Sequence, residues 1–333
     1  MTIGDSIVSV VIPAFNCETT IRQTIEAILQ QRFSPRTHII IVDDGSIDKT
    51  AEIVKSYPAV KYIYQKNSGP AAARNRGAQE AAGEYIFFTD ADCVPQPEWM
   101  ARMMPHFRNP EIGVVAGSYG IANPENLLAN CIHAEILFRH QKLMPDFPKS
   151  FGSYNFCLRK EVFLKAGGFD PVYRFASGED NDLSYKILKA GYKIYFEKTA
   201  LVDHYHTEDM RQYFKEQYRH GFWRAKMYHD HLEMWRGDNY TFWKDIIEIP
   251  LALFSLLNLF VFLPFPVFVP AAARFSVFSL IFLEVFYGLR MLKGLRKGFF
   301  FAFVMLLRAF ARTLGFFSGI LHFTLPKSFK KSK

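Results

Sequence analysis

The sequence is poor in cysteine, and the four it has, Cys17, Cys93, Cys131 and Cys157, show no paired spacing. That argues against a zinc ribbon or a disulfide framework and fits free thiols in a reducing compartment. The opening residues Met1 to Asp5 lack a basic segment followed by an apolar run. No secretory signal is therefore expected, and the front of the chain is expected to stay in the cytoplasm. Long apolar runs are also missing before Asp245, so the first two thirds read as an ordinary soluble domain. Such runs appear only after it, and many of the 34 phenylalanines lie there. The net charge of +8 points to an anionic partner: nucleic acid, an acidic membrane surface or a phosphorylated substrate. A chain of 333 residues has room for one sizeable α/β domain plus something smaller.

The first ninety residues alternate strand and helix. Val8 to Ile12 is a short β-branched run ended by Pro13, and it reads as a buried strand. Ile21, Ile25, Ile28 and Leu29 then fall on one face of a helix. His38 to Val42, Val60 to Tyr64 and Tyr85 to Thr89 read as three further strands. Pro70 sits where a first helical residue belongs, and Gly83 closes that helix. Strands alternating with helices predict a parallel sheet covered on both faces, with ligands beyond the carboxyl ends of its strands. Three polar loops occupy that position: Pro13-Ala14-Phe15-Asn16, Asp43 to Asp48, and Asp90-Ala91-Asp92.

Asp90-x-Asp92 offers two carboxylates after an apolar strand, which suits a divalent cation bound to phosphates. Taken alone it is a weak signal, since most such pairs are turn or helix-cap residues. Asp43-Asp44-Gly45-Ser46-x-Asp48 has the same plain reading. Arg74 lies near the start of the helix after Asn67-Ser68-Gly69, where an arginine suits a diphosphate.

The spaced combination carries more weight. Val10-Val11-Ile12-Pro13-Ala14-Phe15-Asn16, Asp43-Asp44-Gly45-Ser46-Ile47-Asp48, Ala71-Ala72-Ala73-Arg74-Asn75-Arg76-Gly77 and Asp90-Ala91-Asp92 together resemble glycosyltransferase family 2. Gly152-Ser153-Tyr154-Asn155 looks like that family's acceptor-side loop. Gly167-Gly168-Phe169-Asp170 and Gly178-Glu179-Asp180-Asn181-Asp182-Leu183 look like the segment before its base and the base motif itself. The resemblance covers about residues 7–205. It implies a GT-A fold, Rossmann-like with a mostly parallel central sheet and flanking helices, and transfer of sugar from a nucleotide-diphosphate sugar with inversion. It also implies roles. Pro13, Phe15, Asn16, Asp43, Asp44, Arg74 and Asp90 would bind the donor. Asp92 would hold Mn²⁺ or Mg²⁺, and Asp180 would be the general base. Asn155 and Glu179 would lie on the acceptor side. The plain alternative for Glu179 and Asp180 is a cap on the helix 182–190.

His204-Tyr205-His206 follows a strand-like segment, Lys193 to Phe196, and alternation puts both imidazoles on one side. His206, or His204, is expected to serve the metal; satisfied structural histidines are the alternative. Residues 207–245 interleave aromatics with Arg211, Lys215, Arg219, Arg224 and Lys226, the composition of an amphipathic helix in a membrane interface. Single-stranded nucleic acid could use the same ingredients, but nothing else in the sequence supports it. Gln217-Tyr218-Arg219-His220-Gly221 distantly resembles the Gln-x-x-Arg-Trp motif of processive synthases, with Gly221 where Trp stands. Gln217 and Arg219 are therefore candidates on the acceptor side.

Ile246 to Leu263 and Val267 to Leu289 are apolar stretches near the roughly 20 residues a spanning helix needs, hinged at Pro264-Phe265-Pro266. Phe299 to Leu325 carries Arg308 and Arg312, costly at mid-membrane, and precedes a basic tail. Arg308, Arg312, Gly315, Gly319 and His322 share one helical face. The expected layout is a catalytic domain over residues 1–206, interfacial helices over 207–245, two spans plus an interfacial or re-entrant helix over 246–326, and a tail at 327–333. The catalytic domain would face the cytoplasm at the cell membrane, acting on a lipid-linked or surface-glycan acceptor. Polyprenyl phosphate as acceptor, or an inactive scaffold, are the alternatives. Donor, linkage and oligomeric state are not encoded in these motifs.

Overall fold

The computed structural model describes residues 7–32, 36–233, 243–262 and 271–324. The chain forms two compact units, one of residues 1–123 and 136–206, the other of residues 124–135 and 207–333.

The first unit is built on an eight-stranded sheet. Its first half follows the sequence pattern: β1 (Val8–Ala14), β2 (Thr37–Asp43), β3 (Val60–Tyr64) and β4 (Tyr85–Thr89) are parallel, in the order β3-β2-β1-β4. Six of the seven side chains of β1 are buried, as a strand covered on both faces requires. The second half departs from a mostly parallel expectation. β5 (Cys93–Pro95), β6 (Ile112–Ile121), β7 (Asn155–Arg159) and β8 (Lys193–His204) continue the order as β7-β6-β8-β5. β7 runs antiparallel to both β4 and β6, and β5 runs antiparallel to β8, while β6 and β8 are parallel. The sheet is therefore mixed.

Helices α1 (Ile21–Leu29), α2 (Thr50–Lys55), α3 (Pro70–Gln79), α4 (Trp99–Met103), α5 (Leu127–Phe138), α6 (Lys160–Lys165) and α7 (Glu179–Lys189) follow in chain order. α1 buries Ile21, Ile25 and Ile28 as its spacing predicts. Leu29 is instead 47 % exposed, because eight positions along an α-helix rotate it about 80° from Ile21. Pro70 does open α3, but the helix ends at Gln79, short of Gly83. Gly77 matters for the site. A Cβ there would come within 2.3 Å of Val11 Cγ1, so glycine lets α3 lie directly on β1. That approach carries Arg74, one turn earlier, into the interior.

The second unit is helical. It holds α8 (Met210–Asp230), α9 (Trp243–Phe262), α10 (Ala271–Met291), α11 (Leu295–Thr324) and α5 as far as Glu135. Asp209 caps α8, accepting from the Arg211 and Gln212 amides. α8 and α11 pack backbone to backbone through glycine. A Cβ on Gly315 would lie 2.0 Å from the Tyr218 carbonyl oxygen, and one on Gly221 would lie 2.1 Å from that of Arg312. The small-residue stripe of α11 thus marks a helix packed closely on a neighbour.

Arg308 is 2 % exposed and pairs with acids through both terminal nitrogens. It donates to Glu135 at 2.6 Å and to both oxygens of Glu248 at 3.1 and 3.0 Å. Lys244 reaches Glu284 at 2.7 Å and Glu248 at 3.2 Å. Among the described residues, α11 is the one helix long and apolar enough to cross a membrane. The sequence reading placed two spans within residues 246–289 and an interfacial or re-entrant helix over 299–325, because Arg308 and Arg312 are costly in lipid. The arginines behind that reading are neutralised by acids within the unit. The Pro264-Phe265-Pro266 turn and the basic tail lie outside the described residues.

Candidate active site

The loops after β1 and β2 are tied to each other. Asn16, a non-glycine residue with φ of 49°, donates its amide to Ser46 Oγ at 3.0 Å and accepts from the Ile47 amide at 2.9 Å. Phe15 is exposed on the rim beside the half-buried Pro13. Beneath them Asp43 is buried, accepting from the Ser46 amide at 2.8 Å and from the Tyr62 hydroxyl at 2.7 Å. Asp44 accepts from Gln65 Nε2 at 2.7 Å and from the Ser68 and Gly69 amides at 2.9 and 2.8 Å. Its carboxylate takes the amino end of α3, the place the sequence reading offered to a diphosphate. Asp44 therefore ties the loop after β2 to the start of α3 rather than presenting a free carboxylate.

Arg74 also departs from expectation. It is buried, donating through one terminal nitrogen to Asp90 at 2.6 Å and through the other to Glu179 at 3.0 Å. A guanidinium held this way is not open to a diphosphate. It joins the loop after β4 to the start of α7. Gly178, with φ of 91°, turns the chain into α7, so Glu179 and Asp180 both lie in its first turn. That start is three residues earlier than the expected helix at Asp182. Glu179 Oε1 also accepts from Ser153 Oγ at 3.2 Å. Burial, then the charge of Asp180, push the Glu179 carboxyl up to about 7 against the pull of Arg74. Burial likewise raises Asp180, while the Asn181 amide, Arg74 and the Ser153 amide pull it back. Asp180 is only half-buried, so its carboxylate is the accessible one of the two.

Asp92 projects from the loop after β4 and is half-exposed. β5 begins immediately after it, and Cys93 is paired in register with His204 of β8. This register brings His204 Nε2 to 3.4 Å from Asp92 Oδ2. Desolvation pushes Asp92 up, but the charge and hydrogen bond of His204 outweigh it and hold the carboxyl below its usual range. Asp92, Cys93 and His204 form a cluster with metal-ligand spacing. Cys93 is fully buried, and burial first, then the charges of Asp92 and Asp90, keep its thiol protonated. Oxygen and imidazole nitrogen remain, a donor set that fits a divalent cation sharing phosphate oxygens.

His206, expected as the ligand, lies one place behind. Its Nδ1 is 2.9 Å from His204 Nδ1, so alternation does put both rings on one side. A three-residue strand hid the partner choice from sequence reasoning. Tyr119, also unanticipated, packs on both rings and stacks on Tyr154 with centroids 3.6 Å apart, and His140 lies behind Tyr119, bonding Ser118 at 2.8 Å.

Two acceptor-side expectations, Asn155 and Gln217, meet a different structure. Asn155 is buried, accepting from Trp99 Nε1 at 2.7 Å and donating to the Ser118 and Ala200 carbonyls at 2.8 and 2.9 Å. Its amide joins β7 to its neighbours rather than facing an acceptor. Gln217 is buried in the helical unit and accepts from Arg312 Nε at 2.8 Å. Arg219 is exposed on the same helix. All four cysteines are free thiols, as expected.

The glycosyl transferase family 2 model matches residues 9–167, the region holding the Asp43–Asp44, Arg74 and Asp90–Asp92 elements just described. The chain carries a family 2 glycosyl transferase domain. Among curated relatives, the pre-mycofactocin glycosyltransferase of Mycobacterium tuberculosis is 30 % identical over 216 residues, 62 % of this chain and 44 % of that one. The poly-beta-1,6-N-acetyl-D-glucosamine synthase of Staphylococcus epidermidis is 30 % identical over 205 residues, 58 % and 48 % of the two chains. The matched region thus spans about half the length of these relatives. Among solved structures, a mannosyltransferase of Pyrobaculum calidifontis in complex with GDP-Man and Mn²⁺ superposes with a TM-score of 0.57 at 17 % identity. It covers 92 % of this chain and 86 % of that one. TarS of S. aureus gives 0.50 at 16 %, covering 94 % and 91 %. At these identities the likeness is one of fold, and the fold of the family 2 domain is GT-A.

Proposed function

We propose that this family 2 protein is a membrane-attached, inverting glycosyltransferase that moves a sugar from a nucleotide-diphosphate donor to a lipid-linked or surface-glycan acceptor. The observation that carries it is the placement of Arg74, which joins the Asp90 loop to the start of α7, where Asp180 lies half-open beside it. Donor-side and base-side carboxylates thereby share one buried cation.

In this reading the donor lies along the rim of Pro13, Phe15 and Asn16, over a floor ordered by Asp43 and Asp44. Asp92 and His204 would hold Mn²⁺ or Mg²⁺. Once bound, the cation supplies charge neutralisation to the departing nucleoside diphosphate. Asp180 takes the proton of the acceptor hydroxyl as that oxygen bonds to the anomeric carbon, and the bond from that carbon to the diphosphate breaks. A base in this role contributes on the order of 10²–10⁴ in rate.

Membrane attachment rests on the helical unit. Phe275, Phe278 and Phe282, on one face of α10, are 71, 69 and 73 % exposed, and apolar surface of this kind suits lipid. With α11 as a candidate crossing helix, the chain would hold its family 2 domain at the cytoplasmic face of the cell membrane.

The test is nucleoside diphosphate release from a panel of UDP-, GDP- and dTDP-sugars by detergent-solubilised protein with Mn²⁺ or Mg²⁺ and membrane lipid extract. One productive donor, with release lost in Asp180→Asn and Asp92→Ala, is the expected result. Release surviving Asp180→Asn would favour an already ionised phosphate acceptor. Neither release nor donor binding across the panel would overturn the enzymatic reading.

A further inference from the structure

The contact between His204 and His206 carries more than packing. Their Nδ1 atoms are 2.9 Å apart. Two lone pairs at that distance repel and two N–H bonds collide, so one ring presents a proton and the other a lone pair. Only one of the two arrangements leaves His204 able to bind a cation. Its Nε2, the atom 3.4 Å from Asp92 Oδ2, must carry a lone pair. The His204 proton then sits on Nδ1 and is donated to His206 Nδ1, and His206 carries its own proton on Nε2. In the reverse arrangement His204 would hold its proton on Nε2, against Asp92, and could not ligate.

His206 is fixed in the posture this needs. It is buried, and Asn123 holds its backbone at both ends. The His206 amide donates to Asn123 Oδ1 at 3.1 Å, and Asn123 Nδ2 donates to the His206 carbonyl at 2.7 Å. Tyr119, braced by its stack on Tyr154, lies edge-on to the His206 ring at 5.7 Å and 5.0 Å from the His204 ring. The His206 ring stands at 70° to that of His204, with its acceptor atom directed at the neighbouring Nδ1.

We propose that His206 is a positioning residue that sets the ligating tautomer of His204, and through it the affinity of the Asp92–His204 site for a divalent cation. This rests on the reading of that pair as the metal site. A partner on the far nitrogen of a metal-binding imidazole fixes its ring and tautomer and raises its basicity. Removing such a partner typically costs about 10–100-fold in metal affinity.

The experiment measures Mn²⁺ binding to the full detergent-solubilised chain from the electron paramagnetic resonance signal of free Mn²⁺, with the metal alone and with UDP or GDP added. The variants are His206→Phe, which keeps a ring but removes the acceptor, His206→Gln, whose carbonyl oxygen can accept, and His204→Ala. His206→Phe is expected to weaken Mn²⁺ by about 10–100-fold, His206→Gln to retain most of the affinity, and His204→Ala to lose it. In wild type loaded with Mg²⁺, which is diamagnetic, ¹⁵N shifts of the imidazoles are expected to show a protonated Nδ1 and an unprotonated Nε2 on His204. This readout holds even if a variant fails to fold. His206→Phe binding like wild type while His204→Ala does not would overturn the proposal and leave the metal site standing. Equal loss in the Phe and Gln variants, or the opposite tautomer in the spectrum, would also overturn it. A wild type that binds no Mn²⁺ under any of these conditions would sink the metal site and this proposal together.

Discussion

Arg74 and Glu179, 105 positions apart in the chain, form an ion pair in which each side chain is 1 % exposed. Breaking such a pair from one side leaves a carboxylate in a place where water cannot reach it. Arg74→Ala would strand both Glu179 and Asp90, and the expected cost is about 3–5 kcal/mol. Arg74→Lys should recover little, because one ammonium cannot donate along the two diverging directions that the guanidinium fork serves. Thermal unfolding of the two variants beside wild type checks this. A melting temperature unchanged in Arg74→Ala would mean that the pair does not hold the site together.

Glu179 also gives the stability a pH dependence whose sign is fixed by its raised carboxyl, pushed up to about 7 from an ordinary value of about 4.3. Between those two values the folded state binds more protons than the unfolded one. Stability is therefore greatest below the lower value, falls as pH rises through the window and levels off above about 7. The expected loss across the whole window is on the order of 3–4 kcal/mol. Glu179→Gln keeps an acceptor for Arg74 and removes the titration. Its melting temperature should change much less between pH 5 and pH 8 than that of wild type, and parallel curves for the two proteins would contradict the assignment.

The base makes a kinetic prediction of opposite slope. Asp180 works only when ionised, and burial raises its carboxyl above the usual range. The rate should therefore rise with pH, with the acid limb above the ordinary aspartate value of about 3.9. Asp180→Asn should lower kcat on the order of 10²–10⁴ and leave donor KM nearly unchanged, since the residue is proposed to face the acceptor. A donor KM that rises as steeply as kcat falls would place Asp180 on the donor instead.

How much of this was legible in the sequence depended on whether the signal was local. The strands β1 to β4 announced themselves as short β-branched or aromatic runs, and the loops that follow them carried their carboxylates in plain view. Asp92 was readable as a candidate for that reason, and Asp180 through its own run from Gly178 to Leu183 at the start of α7. Arg74 was found as a residue of interest, but its partners were not. The Cβ-free surface of Gly77 that seats α3 on β1, and the burial that follows, are facts of packing. His204 was ranked behind His206 because the choice depends on β5, whose three residues have no periodicity to detect. Asn155 was assigned outward from its motif, whereas its amide satisfies two carbonyls and an indole inside the sheet. In the tail, composition showed apolar helices with awkward arginines. The acids that answer those arginines lie on other helices, as far away as Glu135.

Close packing of α8 on α11 gives a prediction for the helical unit. At Gly315 a methyl group would meet the Tyr218 carbonyl oxygen at 2.0 Å, and backbone cannot move aside as a side chain can. Gly315→Ala should destabilise the unit by about 1–3 kcal/mol, outweighing the gain of up to about 1 kcal/mol in helix propensity. Unfolding of the detergent-solubilised protein followed by far-ultraviolet circular dichroism would register it as a lower midpoint for the helical signal. A raised midpoint would show that the two helices are not in contact there.

Arg308 tests whether the buried network contributes stability or only matches charge to charge. Its guanidinium meets Glu135 and Glu248 directly and lies 3.8 Å from Asp245, while Lys244 supports Glu248 from the other side. Replacing Arg308 by Met keeps much of the volume and removes the charge, leaving the carboxylates inside with Lys244 as their nearest buried cation. The expected cost is about 3–5 kcal/mol. Replacing Glu248 by Gln in the same chain removes the acid most dependent on that cation, since both of its oxygens accept from Arg308. The double variant should therefore be more stable than the sum of the two single changes implies, by about 0.5–3 kcal/mol of coupling. The measurement is a double-mutant cycle on thermal or denaturant unfolding in detergent. Strict additivity would show that Arg308 and Glu248 are near one another without depending on one another, and the stability of the unit would then have to rest on its apolar contacts alone.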